Sequence, residues 1–140
     1  MFAFINDFLN KRHSKHLLLP FYTEIKANLE RFWVMDQRQF IDGGFQTQKW
    51  DQIKLQNGVQ FGDKVKRYTE AIVEFNTMFD TFKEYERWYA SDLKNKTPEN
   101  AKKLHSQKSE LDRRLKTLDE VIIPAGEELE RMLIDKRILK

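Results

Sequence analysis

The chain has no cysteine, only three prolines and five glycines in 140 residues, and no long apolar run. The missing cysteine excludes a disulfide framework, a thiolate metal site and a cysteine nucleophile. Scarce proline and glycine leave few breaks, so long helices are expected. The longest apolar runs, Met1 to Ile5 and Leu17 to Tyr22 across Pro20, fall far short of the roughly 18 residues of a membrane span. The basic cluster follows the first apolar run, the reverse of a secretory leader, so the expected compartment is the cytoplasm.

Catalytic motifs are missing as well. Ser14, Ser91, Ser106 and Ser109 lie in no Gly-x-Ser-x-Gly elbow, and the glycines form neither a Walker loop nor a dinucleotide fingerprint. A Glu-x-x-His pair, the usual metal motif of helical bundles, is absent because Lys102 stands three residues before His105. His13 and His16 share a helix face, but Lys11, Arg12 and Lys15 beside them would repel a cation. Carboxylate pairs such as Glu127 and Glu128 read as solvated helix charge. The expectation is a protein that is not an enzyme, with no cofactor and no metal.

What is present is helical periodicity. From Asp63, the residues Val65, Tyr68, Ile72, Phe75, Phe79, Phe82, Tyr89 and Leu93 alternate at three and four, broken only by Glu86. That is a seven-residue seam on a helix over 63–95, with Asp63 as a candidate N-cap. A second helix over 98–136 opens at Thr97-Pro98-Glu99, a cap, a first-position proline and a carboxylate suited to the dipole. Its seam runs Ala101, Leu104, Leu111, Leu115, Leu118, Ile122, Ala125, Leu129 and Met132, with Lys108 as the polar intruder. The register passes unbroken through Pro124, so one helix kinked there is expected rather than two. The short link between these helices makes them an antiparallel hairpin, in which Glu86 and Lys108 are candidates for a pair that sets register.

The N-terminal third carries a helix over 17–41 on the stripe Leu18, Tyr22, Ile25, Leu29 and Phe32, extended by Trp33 and Phe40 and ended by Asp42-Gly43-Gly44. In the 42–62 connection, Thr47 to Gln56 reads as a short helix carrying Trp50 and Ile53. The alternative is a hairpin of Ile53-Lys54-Leu55 with Val59-Gln60-Phe61 about a three-residue Gln56-Asn57-Gly58 loop. Residues 1–16 form an amphipathic segment, apolar at Phe2, Ile5, Phe8 and Leu9 and basic thereafter. The expected fold is all-α: one domain over 1–140, an elongated bundle of three long helices, with a short N-terminal helix and a short helix in the connection.

The stretch Leu19-Pro20-Phe21-Tyr22-Thr23-Glu24-Ile25-Lys26-Ala27-Asn28 is followed by Phe45-Gln46-Thr47-Gln48-Lys49-Trp50-Asp51-Gln52-Ile53 and by a helix with Tyr68 and Phe75-Asn76. This layout resembles small uncharacterised helical proteins of bacteria and prophages, in which an E-I-x-x-N helix precedes an F-x-T-x-x-W-x-x-I segment and a helical hairpin. The resemblance covers roughly residues 17 to 80. It implies a bacterial or phage origin and a helical fold, often behind a membrane anchor, and it carries no assigned activity.

Three partner classes remain. The aromatic excess between Tyr68 and Tyr89 widens the apolar face beyond one seam, with Met78, Tyr85 and Trp88 on its flank. This points to a protein partner or a homo-oligomer contacted through Phe4, Phe8, Tyr85 and Trp88. Residues 1–22 suit a membrane surface, because their aromatic stripe adjoins a basic cluster. From Lys94 to Lys116 there are eight basic residues against three acidic ones, and Lys102, Lys103, Arg113 and Lys116 fall on one outer face. That is the candidate nucleic-acid face, although aromatics do not interleave with it and the net charge is only +3.

Overall fold

The computed structural model describes residues 17–33, 44–55 and 60–138. Eighty-six per cent of them are helical and none is in a strand. Helix α1 covers residues 17–33, α2 is Gln48–Ile53, α3 is Asp63–Ser91 and α4 is Pro98–Asp135. The protein is an all-α bundle with three long helices. Phe4, Phe8 and the rest of the 1–16 segment lie outside the described residues, as do Phe40, Asp42-Gly43 and Asn57-Gly58.

The hairpin of α3 and α4 follows the two heptad seams. Val65, Tyr68, Ile72, Phe75, Phe79 and Phe82 are buried against Leu111, Leu115, Leu118, Ile122, Ala125 and Leu129. Arg114 Nη1 meets Glu74 Oε1 at 3.0 Å and the Tyr85 hydroxyl lies 3.4 Å from the Asn100 carbonyl, which fixes the antiparallel register. Pro124 sits inside one continuous α4. Its missing N–H relieves the exposed Glu120 carbonyl of its helical bond, a cost water can offset at the surface.

The seams end earlier than their sequence spacing. Helix α3 stops at Ser91, and Leu93 belongs to a separate 3-10 turn, Leu93–Asn95, where it is 84% exposed. Asp92 accepts from Lys94 N, and Asn95 Nδ2 donates to the Trp88 carbonyl, so the turn satisfies its own polar groups. Ala101 is exposed, and at the far end of α4 Leu133 is buried while Met132 is only half-buried. Glu86 pairs with Lys83 of its own helix rather than with Lys108, which the register sets at the level of Thr77 to Thr81. Thr97 caps α4 as expected, accepting from Asn100 N at 3.1 Å. The α3 cap position is Gly62, not Asp63.

Helix α1 runs parallel to α3. Phe21 packs against Phe61 at 5.6 Å between ring centroids, and Asn28 reaches Tyr68 further along in the same sense. The buried stripe of α1 is Leu18, Phe21, Ile25, Asn28 and Phe32, again a three-four alternation, so Tyr22 and Leu29 are flanking positions. The chain therefore returns along α1 before α3 starts. Ile53 is helical and buried at the end of α2, which settles the connection as a short helix rather than a hairpin strand.

Candidate functional site

Two sets of side chains stand out: a buried polar clasp, and a partly exposed aromatic pair near the hairpin tip. The clasp holds the extended segment that enters α2. Asn76 of α3 accepts from Phe45 N and donates to the Phe45 carbonyl, both at 2.9 Å. Asn28 of α1 accepts from Gln46 N at 2.8 Å and donates to the Gln46 carbonyl at 2.7 Å. Two carboxamides on two helices thus satisfy both backbone groups of consecutive residues, as a neighbouring strand would. Asn28 Nδ2 also donates to the Tyr68 hydroxyl at 2.8 Å, and burial pushes that hydroxyl well above its usual pKa. Gly44 is left-handed at φ 59°, and a Cβ there would come within 2.7 Å of Asn76 Oδ1. Only glycine meets both demands.

Glu24 completes the clasp. Its two carboxylate oxygens accept from Lys49 N at 2.9 Å and Trp50 N at 3.1 Å, the second and third residues of α2. Thr47, at the cap position, makes no side-chain cap bond, so the capping group comes from another helix. Burial raises the Glu24 pKa, with Asp51 adding to the rise; the two amides and Lys49 oppose it. Every polar atom here has a partner and the groups lie beneath packed rings, Phe21 with Trp50 and Phe45 with Phe75. The cluster builds structure and offers no open acid, base or nucleophile.

Sequence reasoning missed Glu24, Asn28 and Asn76 as functional side chains. The signal was present at Asn28, a polar residue in phase with Leu18, Phe21, Ile25 and Phe32. Of the residues quoted for the resemblance, Glu24, Asn28, Phe45, Trp50, Tyr68 and Asn76 take part in this clasp, while Thr47 makes no side-chain cap bond.

The aromatic pair lies higher on the hairpin. Burial ends at Phe82 on α3 and begins at Leu111 on α4; among the described residues the clasped segment meets α3 at Asn76 and Phe79. Beyond that level the hairpin continues as two helices among the described residues. Tyr85 and Trp88 touch there at 5.4 Å between centroids, Trp88 is 46% exposed, and Lys103 Nζ lies 5.0 Å from the Tyr85 ring centre. Next to them Thr77, Met78, Thr81, Ser106, Gln107 and Glu110 bound a groove of about 380 Å³.

The four basic candidates differ in what they touch. Lys102 and Lys116 are exposed, while Lys103 is drawn over Tyr85. Arg113 is bound to Glu110, with Nε 3.0 Å from Oε2. That bond holds the Glu110 carboxyl below its usual range and raises the Arg113 pKa. Among the described residues no group of three or more His, Asp or Glu could hold a metal ion, and no helix is long and apolar enough to cross a membrane. The chain matches no protein-family model, no curated protein and no solved structure.

Proposed function

We propose that this chain is a non-enzymatic helical interaction module that engages a protein, a second copy included, through the half of its α3–α4 hairpin that carries Tyr85 and Trp88. One observation carries the reading: Tyr85 and Trp88 meet at 5.4 Å between ring centroids, tilted by 35°, where no third helix covers them among the described residues. Large aromatic side chains, half-exposed and fixed by each other, are the usual anchors of protein interfaces. The clasp supports the same reading, since it spends the buried polar groups on rigidity. Arg113 is tied to Glu110 and Lys103 to Tyr85, so phosphate binding by the basic residues is the weaker reading.

The test is Trp88→Ala, with Phe8→Ala beside it, followed by light scattering behind size exclusion and by cross-linking of partners in native extract. Loss of the assembly or of a specific partner contact in Trp88→Ala is the expected result. If both variants leave the oligomeric state and every contact unchanged, the reading fails.

A further inference from the structure

The groove beside Tyr85 and Trp88 has features that select its occupant. It lies on the side of the hairpin turned away from α1 and α2, which pack where Ile25 meets Gly126 and Asn76 clasps Phe45. On that side, which no other helix covers among the described residues, α3 carries Ala71, Glu74, Met78, Thr81, Tyr85 and Trp88, and α4 carries Lys103, Gln107, Glu110 and Arg114. Both sets alternate at three and four, so beside the core seam α3 carries a second, partly apolar stripe (Ala71, Met78, Tyr85, Trp88) and α4 a polar one. A helix in a two-helix hairpin needs one seam; a helix in a four-helix bundle needs two. Short side chains at Thr77, Thr81 and Ser106 line the groove and let another helix approach closely. Inside it the Gln107 Oε1 is buried with no hydrogen-bond partner, which is costly to leave unmade.

We propose that a second copy of this chain fills the groove, two-fold and antiparallel, with α3 against the partner's α3 and α4 against the partner's α4. This rests on the interaction-module reading and names its partner. A carboxamide is self-complementary: about an axis at Gln107, each Oε1 accepts from the other copy's Nε2. Lys103 precedes Gln107 by one turn and Glu110 follows it by one, so the same axis brings each Lys103, which lies over Tyr85 in its own chain, beside the partner's Glu110, to which it would add a third cation after Arg113 and Arg114. On α3 it brings Trp88 of one copy down to the level of the partner's Ala71 and Glu74, covering the exposed ring. One axis position thus satisfies the orphan acceptor, pairs opposite charges and buries the aromatic pair.

The chain has no cysteine, so single-cysteine variants report geometry without interference. Light scattering is expected to give twice the chain mass. Ser106→Cys, beside the axis, is expected to form a covalent dimer on mild oxidation, while Lys116→Cys stays unlinked. Lys103→Cys and Glu110→Cys are each expected to remain unlinked alone and to cross-link when mixed. Gln107→Glu sets two carboxylates against each other and is expected to raise the dimer dissociation constant about tenfold or more, with helical circular dichroism unchanged. A monomer at every concentration, or Ser106→Cys that never links, overturns the proposal. A Lys103→Cys variant that links to itself overturns the antiparallel arrangement. A monomer whose contact with a different protein is lost in Trp88→Ala overturns only the second copy and leaves the interaction module standing.

Discussion

Glu128, late in α4, accepts a hydrogen bond from the backbone amide of Val65 at 2.8 Å, 63 residues earlier in the chain. Val65 is the third residue of α3, whose cap position is Gly62 and has no side chain to offer. A Cβ on Gly62 would lie 2.0 Å from Glu128 Oε1. The glycine is therefore there to admit a cap from another helix. Glu24 does the same for α2, so two of the three helix starts that follow α1 are capped by carboxylates from elsewhere in the bundle.

Gly62→Ala should push the Glu128 carboxylate off the α3 terminus and cost about 1 kcal/mol, the usual worth of a cap. Glu128→Ala should cost a similar amount. The double variant should cost clearly less than the sum, because removing the carboxylate makes room for the new methyl. Urea midpoints of the four proteins decide this, and simple additivity would refute the shared mechanism.

Asn28→Ala and Asn76→Ala should each destabilise by about 2–4 kcal/mol, since each strands both backbone groups of a clasped residue. Asn76→Asp keeps the acceptor for Phe45 N and loses the donor to the Phe45 carbonyl, so its loss should be smaller than that of Asn76→Ala. A loss below about 0.5 kcal/mol for both alanine variants would mean that water replaces the clasp at no cost.

Glu24 makes stability depend on pH with a definite sign. Its folded pKa is raised above the ordinary 4.5, so the folded protein holds that proton more tightly than the unfolded chain. The contribution is fully present below the ordinary carboxylate value and is lost as pH rises through the raised folded value. Glu24→Gln removes this titration, so the stability of the wild type minus that of the variant should fall as pH rises across that window. Denaturant midpoints over about pH 4 to 7 measure it. A difference that grows with pH would show that the two amide bonds outweigh burial.

Leu118 and Leu93 both occupy seam positions by spacing, yet Leu118 is fully buried and Leu93 is 84% exposed. Leu118→Ala should cost about 2–5 kcal/mol, and Leu93→Ala less than about 0.5 kcal/mol. Thermal or urea unfolding separates the two readily. Equal losses would place the 3-10 turn inside the core.

The helices, their order and the hairpin were legible in the sequence because they depend on local terms. The three-four spacing of Val65 to Phe82 and of Leu111 to Leu129 defines an apolar stripe whatever it packs against. Thr97-Pro98-Glu99 marks a helix start through contacts only three residues long. The candidate site was half legible: the surplus of Tyr85 and Trp88 showed in composition and phase, whereas Gln107 gave no sign, because its lack of a partner is a fact about the groove.

Tertiary structure alone decided the rest. The parallel course of α1 and α3, the caps from Glu24 and Glu128, and the hold of Asn28 and Asn76 on Phe45 and Gln46 join residues 18 to 63 positions apart. No periodicity encodes such pairs. Each forms because burial removes water from a backbone amide or carbonyl, and the nearest side chain able to replace that water is set by how the helices pack. Where each seam stops was settled the same way: Leu93 has the right spacing, but α3 ends at Ser91 and the 3-10 turn leaves Leu93 facing outward.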